Sequence, residues 1–562
     1  MKNSQGEFPA LRYTILIPSS AQKALTVTMK ITKFEPDEGG RLTLFKGKMP
    51  LKIRFVLDER NRNIAYRIES GFVIIGPVDE SSRRITLTYE PEIGYLHKHG
   101  HQGYRNETLV VFAGENVLLI PVSGRAESIA LRFDYPASWK CFLSADAEIP
   151  SPGSAILRSN NDSWLAMYAM MKSCYAFGKL HKWAGDHDFQ IYFTDKSFER
   201  GVKQNMSDGA SRIFNYFCRS FSVQSLPYSL LVLPATEAGE KIMGGVGAQS
   251  MGFTIAPDSL RDWQLLSHRL FHAFFDRTIH IQELYMPPNL WFLEGLACYF
   301  EITAPAYLPE KLAQNFITAP GHHFKACYRR YLYFHLKDPE LFAIVPMSES
   351  DIQLDGRIEF LHYTQAPLVI FAMEPLFTAG RTQSFESAII NWLRETEKGD
   401  EFDLIASLNR LPAGREAMQA FAEQYITGSQ VLNLWDQLEE PFSDLTSAPA
   451  QAAIHELEAY EALLWTWFRE HPELFLKRSI PQGGLIACFE EAQRRKLAVA
   501  SPEIELKLAR SFPTVYACLK VNRLRMDICG IKPGDRFRNS HLTQRENLQR
   551  WSDYVKSCAD GE

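Results

Sequence analysis

The first 141 residues carry a series of short apolar segments that restricts the folds open to this chain. The segments are rich in β-branched residues and separated by turn residues: YTILIP, ALTVTMKITKF, LKIRFVLD, AYRIESGFVIIG, RITLTYEP, ETLVVFAG and NVLLIPVS. Several short strands at this spacing are typical of a β-sandwich. We therefore predict an N-terminal β-sandwich over residues 1–145.

The sequence pattern changes after this region. Apolar runs that suit helices now alternate with runs that suit strands, as in DSWLAMYAMMKSCYAFGKL followed by DFQIYFTD and YSLLVLP. This alternation predicts an α+β domain around a small sheet over residues 146–310. Beyond Ala304 the apolar residues recur with helical spacing, which indicates an α-helical domain over residues 311–445. Residues 446–562 are predicted to form a mostly helical C-terminal extension, reached through the Pro-, Ser- and Ala-rich segment EEPFSDLTSAPAQAA.

Length and composition agree with a multidomain α+β protein. A chain of 562 residues is too long for one core. The net charge of −5 argues against nucleic acid as a partner. The sequence contains no apolar run of about 18 residues, so we expect no membrane span. The start of the chain lacks the pattern of a secretory signal. Nine scattered cysteines without CxxC pairs suit a reducing compartment, so we expect a cytoplasmic protein.

Two histidines lie four residues apart in the segment SHRLFHAFF, whose apolar spacing predicts an amphipathic helix. Positions i and i+4 share one helix face, so His268 and His272 could bind a single ion. The same spacing also suits one core histidine beside one exposed histidine. Glu294 follows in NLWFLEGLACYFE, on a second predicted helix. Two histidines and one carboxylate with an open fourth position are the ligand set of catalytic zinc.

The motifs HRLFH and WFLEGLACYFE together resemble the H-E-x-x-H and W-x-x-E-G pattern of gluzincin metallopeptidases. The likeness is strongest to the glycyl aminopeptidase family, relatives of aminopeptidase N. Upstream, IMGGVGAQS is similar to the family's G-G-x-E-H segment on an edge strand, and downstream HYTQAPLVIFAMEPLF is similar to a helix of the style Y-x-x-G-A-L. The resemblance covers residues 10–440 and implies a thermolysin-like fold for the central α+β domain, with zinc as cofactor.

The resemblance assigns roles to particular residues. The implied zinc ligands are His268, His272 and Glu294. The implied substrate-binding segment on the edge strand contains Gly244, Gly245 and Gly247. Tyr363 would be the partner of the oxyanion that forms during hydrolysis.

Two departures from the family pattern bear on catalysis. Arg269 replaces the glutamate that acts as general base, and Gly247 replaces the glutamate that anchors the free amine of the substrate. Arginine stays protonated at any working pH, so it cannot accept a proton, and losing a positioned base costs about 10²–10⁴-fold in rate. The nearest carboxylates in sequence are Asp276, Glu283 and Glu301. We expect none of them to replace the base, since even Asp276 lies about 12 Å along the helix from His268.

Arg269 permits two interpretations. Its guanidinium could hold a carboxylate or phosphate against the metal, or it could pair with Glu294 in a salt bridge that replaces the metal. Three hypotheses follow from the sequence. The chain is a zinc-binding gluzincin homologue with altered chemistry on a small or acidic substrate, an inactive pseudopeptidase that serves as a binding or scaffold protein, or a working zinc aminopeptidase with a non-standard base. A small-molecule or peptide ligand is the expected partner in each case.

Two weaker candidates complete the sequence analysis. The segment LHKHGHQGYRN places His97, His99 and His101 at alternate positions, where they could bind a second metal. A solvated turn is the favoured interpretation of such a cluster. Cys298 lies close to Glu294 in sequence, and we expect it to serve packing, because no base that would activate its thiol can be identified.

Overall fold

The computed structural model describes residues 9–337 and 361–438, apart from short gaps within both ranges. The predicted linker and C-terminal extension lie outside the described residues. The chain divides into two compact units, Met1–Thr278 with Tyr307–Phe316 and Ile279–Ala306 with Ile317–Glu562. Strands dominate the first unit, and the described residues of the second unit are helical. This mixed α+β architecture, with a sheet-rich N-terminal region and a helical C-terminal part, confirms the predicted fold class.

The first unit contains the strands of the protein. In chain order they are β1 Ala10–Leu16, β2 Thr26–Thr32, β3 Leu42–Phe45, β4 Leu51–Leu57, β5 Tyr66–Glu69, β6 Phe72–Ile75, β7 Arg84–Pro91, β8 Tyr95–His97, β9 Gly100–Gln102, β10 Tyr104–Arg105, β11 Leu109–Ala113, β12 Ile120–Pro121, β13 Ser128–Asp134, β14 Lys140–Phe142, β15 Glu148–Ser151, β16 Ser154–Ser159, β17 Cys174–Gly178, β18 Leu180–Ala184, β19 Phe189–Thr194, β20 Tyr228–Leu233, β21 Ile242–Val246 and β22 Ser250–Thr254.

Helices occur in both units. In chain order they are α1 Trp164–Lys172, α2 Arg200–Ser220, α3 Leu260–Thr278, α4 Leu290–Thr303, α5 Glu310–Ala313, α6 Pro320–Lys337, α7 Ala366–Thr378, α8 Phe385–Thr396, α9 Leu404–Leu408 and α10 Arg415–Phe421. Short 3₁₀ turns lie at Gly114–Asn116, Gln282–Tyr285 and Ala304–Tyr307, and π-helical turns at Leu361–Gln365 and Ala422–Ile426. Within the described residues, none of these helices is both long and apolar enough to cross a membrane.

The N-terminal strands form the sandwich expected from their alternating pattern. In β1, Leu11, Tyr13 and Ile15 are buried while the residues between them are exposed, because successive side chains of a strand point to opposite faces. A seven-stranded sheet has the order β15-β16-β13-β1-β2-β7-β4, and a four-stranded sheet has the order β12-β3-β6-β5. One apolar core contains buried side chains from both sheets. The first sheet continues to Ser159, past the predicted boundary at residue 145, and the four predicted domains stay predictions.

A second seven-stranded sheet carries the segment that precedes the histidine helix. Its order is β18-β19-β20-β22-β21-β9-β8, so the hairpin of β8 and β9 lies at one edge, next to β21. The remaining four-stranded sheet has the order β10-β11-β17-β14. Strands from residues 95–142 therefore belong to the same sheets as strands from residues 174–254.

In the second unit, α4 and α7 approach each other closely at a glycine. A Cβ atom added to Gly295 would lie 2.8 Å from the Cβ of Ala366. Real Cβ atoms do not approach other atoms so closely, hence only glycine lets the two helices meet at this distance. Gly295, directly after Glu294, thus serves helix packing.

Candidate functional site

The histidine helix α3 is held by a continuous apolar face. The predicted packing residues Trp263, Leu266, Leu270 and Phe274 are all fully buried. Near the start of the helix, the buried carboxylate of Asp262 accepts a hydrogen bond from the Ala256 amide at 2.9 Å and forms an ion pair with Lys241. Packing and these polar contacts fix the helix, and with it the residues on its other faces.

On this helix the two imidazoles converge at their Nε2 atoms. The Nε2 atoms of His268 and His272 are 3.3 Å apart, while their ring centroids are 5.0 Å apart. Two nitrogens bound at 2.0–2.1 Å to one tetrahedral ion lie about 3.3–3.4 Å from each other. The separation of the two nitrogens fits two ligands of one ion and fits a hydrogen bond between the rings equally well.

Glu294 occupies a distinctive position within its own helix. Along α4 it is half-buried, whereas every other residue from Trp291 to Thr303 is buried. Its carboxylate acts on His362, a buried residue in the π-helical turn Leu361–Gln365. Burial lowers the pKa of His362, and the negative charge of Glu294 partly opposes this effect. Sequence reasoning missed His362, whose only signal was its place beside Tyr363.

Tyr363 lies in the same π-helical turn, just before α7. Its side chain is 44% exposed, in contrast to the buried residues on either side of it. The exposure of this side chain does not test the predicted oxyanion role of its hydroxyl. That role stays a prediction.

Arg269 combines partial burial with an unsatisfied donor. The residue is half-buried, and its Nε atom is buried without a hydrogen-bond partner in the part of the chain that the structure describes. Its charge acts on the buried hydroxyl of Tyr228 at the start of β20. Burial raises the pKa of Tyr228 well above its usual range, the charge of Asp276 raises it further, and that of Arg269 lowers it.

Tyr228 also connects this region to the turn between β21 and β22. Its hydroxyl donates a hydrogen bond of 2.7 Å to the carbonyl oxygen of Gly247. The Gly247 amide donates to the Ser250 carbonyl at 2.9 Å, which closes the turn. Arg269 and Gly247, the two departures from the family pattern, are thus neighbours of the same tyrosine.

Three glycines of this segment are packed tightly against the chain at Ser173 and Cys174. A Cβ atom on Gly245 would lie 2.8 Å from the Ser173 carbonyl oxygen, and the φ angle of +125° at Gly245 also requires glycine. A Cβ atom on Gly244 would lie 2.6 Å from a methyl group of Val111. A Cβ atom on Gly247 would lie 2.5 Å from the Ser173 amide nitrogen. The predicted role of Gly244, Gly245 and Gly247 in substrate binding stays a prediction, and their visible role is packing.

The remaining candidates from the sequence have separate surroundings. Cys298 and Glu301 are buried in α4, while Glu283 is exposed in the turn Gln282–Tyr285. In the hairpin of β8 and β9, the ring of His101 contacts the Gly94 carbonyl at 2.8 Å and the Glu240 carboxylate at 2.5 Å. The side chains of His97 and His99 lie outside the described residues.

Comparison with solved structures identifies the fold of this chain. No family model and no curated protein matches the chain. An aminopeptidase N family protein from Idiomarina loihiensis is similar in structure, with a TM-score of 0.55, 13% sequence identity, and coverage of 76% of this chain and 78% of that one. An M1 zinc metallopeptidase from Deinococcus radiodurans has a TM-score of 0.46 and 14% identity, over 76% of this chain and 95% of its own. At this level of identity the likeness shows the fold alone: this chain shares the fold of the Idiomarina protein.

Proposed function

We propose that this protein is a zinc-binding homologue of gluzincin aminopeptidases that does not hydrolyse peptides by the family's route. The observation that carries the proposal is Arg269, a half-buried arginine between two histidines whose Nε2 atoms are 3.3 Å apart, a separation that two ligands of one ion can have. The metal donors are retained on α3, while the residue beside them cannot act as a base. A related function with altered chemistry, on a small or acidic ligand, accounts for both facts.

The proposed ligands of the ion are His268, His272 and Glu294. The resemblance to the gluzincin pattern implies this set, and two of its members, His268 and His272, lie on α3 with their Nε2 atoms 3.3 Å apart. Two imidazoles and one carboxylate leave a fourth position open, as catalytic zinc requires. Zinc in such a site acts as a Lewis acid and lowers the pKa of bound water.

The residues at the two positions that resemble the family's base and amine anchor, Arg269 and Gly247, cannot perform those roles. Arg269 is a permanent donor, so it can orient or neutralise an anion but cannot receive a proton. Gly247 has no side chain to hold a substrate ammonium, and the space beside it is filled by Ser173. Both the base and the amine anchor of a gluzincin aminopeptidase are therefore lacking at the positions that resemble the family's.

Metal analysis of the purified full-length chain tests the proposed site. We expect one zinc per wild-type chain after dialysis against metal-free buffer, and strong loss of zinc in His272→Ala and Glu294→Gln. His280→Ala is the matched control, because His280 is an exposed histidine whose ring contacts Glu397 at 3.1 Å. Retention of zinc in Glu294→Gln would exclude this carboxylate as a ligand and contradict the proposed set.

Activity measured on the same zinc-loaded preparation tests the second half of the proposal. We expect no appreciable release of p-nitroaniline from glycine p-nitroanilide, since the position that resembles the family's general base holds Arg269. Robust release that a chelator abolishes would contradict the proposal and favour a working aminopeptidase. A metal-free protein that remains folded would instead favour the scaffold protein.

A further inference from the structure

Arg269 lies beside one of the proposed zinc ligands on the surface of α3. Residues three apart on a helix are neighbours, and their Cα atoms are about 4.5 Å apart along the axis. Arg269 and His272 are therefore side by side on one face, and both are half-buried. The guanidinium group of Arg269 can therefore contact a ligand that binds beside His272.

The buried Nε of Arg269 requires an acceptor. A buried donor left unsatisfied costs about 1–3 kcal/mol, and more when the group is charged. Among the described residues, no hydrogen-bond acceptor meets this atom. Asp276 is on the same helix but seven residues later, about 10.5 Å along the axis, so it balances the charge only at a distance. A bound anion would provide both the acceptor and the opposing charge.

The surroundings of Gly247 determine which charge the ligand can carry. An aminopeptidase of this type holds the substrate's ammonium with a carboxylate at this position, as the resemblance implies. Here a side chain of any size would collide with Ser173, whose own amide is bonded to the Ala169 carbonyl at 3.0 Å at the end of α1. The position that resembles the amine anchor is thus closed and without a carboxylate, while Arg269 provides a fixed positive charge on α3.

We infer that the site selects a ligand with a carboxylate or phosphate group and no free amine, which Arg269 binds beside the metal. The charge preference is the reverse of that of an aminopeptidase. A guanidinium fork pairs with such planar or tetrahedral oxyanions through two parallel hydrogen bonds. This inference deepens the proposed function and rests on the zinc site proposed there.

Calorimetric titration of the zinc-loaded full chain tests the inference with matched probes. N-acetylglycine carries a carboxylate and no amine, methyl phosphate carries the phosphate alternative, and glycinamide carries an amine and no carboxylate. We expect at least one of the two anions to bind and glycinamide to show no binding. The stronger of the two anions identifies the source of the oxyanion.

Variants of Arg269 then assign the binding to this residue. Arg269→Ala is expected to weaken the anion about 10- to 150-fold, the range for a hydrogen bond to a charged group, with zinc content unchanged. Arg269→Lys should recover part of the affinity, because an ammonium cannot form the two-pronged contact. Arg261→Ala is the control, since it removes an exposed arginine from the first turn of the same helix.

The outcomes separate this inference from the proposed function. Zinc-loaded protein that binds neither anion, or whose Arg269→Ala variant binds them as tightly as wild type, overturns the inference and leaves the zinc site intact. Binding of glycinamide in preference to N-acetylglycine also overturns it. Absence of zinc from the starting preparation is a failure of the proposed function, and it is measured before any anion is added.

Discussion

Two regions of the first unit compare differently with the gluzincin pattern that the sequence resembles. On α3, the Nε2 atoms of His268 and His272 are 3.3 Å apart, a separation that two ligands of one ion can have. At the turn after β21, the position that the resemblance gives to the amine anchor is closed, because Gly247 packs against the backbone of Ser173. A metal site and a substrate anchor are therefore physically separable: the first needs two side chains on one helix, and the second needs empty space between strands.

The largest effect is expected from forcing the anchor back into the closed turn. Gly247→Glu should lower the free energy of unfolding by about 3 kcal/mol or more, since it adds both overpacking and a buried charge. Urea unfolding followed by tryptophan fluorescence measures the change. The matched control is Gly201→Glu, because Gly201 is exposed in the first turn of α2, where an added Cβ meets nothing within 4 Å.

The outcome of this substitution decides whether the turn is closed or merely lacks a side chain. A Gly247→Glu variant as stable as Gly201→Glu would mean that Ser173 yields easily. The steric difference between the two regions would then disappear, and the missing anchor would be a matter of residue type alone.

A smaller effect is expected from restoring the base next to the metal donors. Arg269→Glu should raise the hydrolysis of glycine p-nitroanilide by less than about tenfold, far below the 10²–10⁴-fold that a positioned base contributes, because the amine anchor is still lacking. Steady-state kinetics on zinc-loaded protein measure the change, with Arg261→Glu as the matched control at the exposed start of α3. Brisk turnover by Arg269→Glu would show that the closed turn matters less than the base.

The smallest effect on stability is expected at the edge of the second seven-stranded sheet. There β9 pairs with β21, the strand that contains Gly244 and Gly245, and His101 contacts Glu240. The Gly94 carbonyl and the Glu240 carboxylate raise the pKa of His101 above its usual value. The contact of protonated His101 therefore stabilises the folded protein fully below about pH 6.5, the pKa of histidine in the unfolded chain. This stabilisation is lost as the pH rises through the higher pKa of His101 in the folded protein. Its size is about 0.5 kcal/mol, because the pair is partly exposed.

The free energy of unfolding of wild type and Glu240→Gln, measured at pH 5.5 and pH 8.5, gives this contribution, and Glu237→Gln at an exposed position is the control. Wild type and Glu240→Gln should differ in stability at pH 5.5 and be equally stable at pH 8.5. An equal difference at both values would mean that the contact of His101 with Glu240 does not depend on the proton.

Local patterns in the sequence predicted the elements but not the closed turn. The alternation of Leu11, Tyr13 and Ile15 predicted a strand with one buried face, and the spacing of apolar residues predicted α3, because both patterns depend only on neighbouring residues. The collision at Gly247 depends on Ser173, a residue distant in sequence that the sheets bring near. His362 was missed for the same reason, since its link to Glu294 arises from the tertiary structure.

The sheets of the first unit bind early and late parts of the chain into one folding unit. β9 pairs in parallel with β21, and β11 pairs with β17, so strands before residue 143 share sheets with strands that follow residue 173. Such long-range pairings form slowly, because distant segments must meet before any contact stabilises them. A fragment that begins at residue 146 would expose the edges of β17 and β21, which favours aggregation. We therefore expect that the part of the first unit that contains α3 does not fold stably without the N-terminal strands.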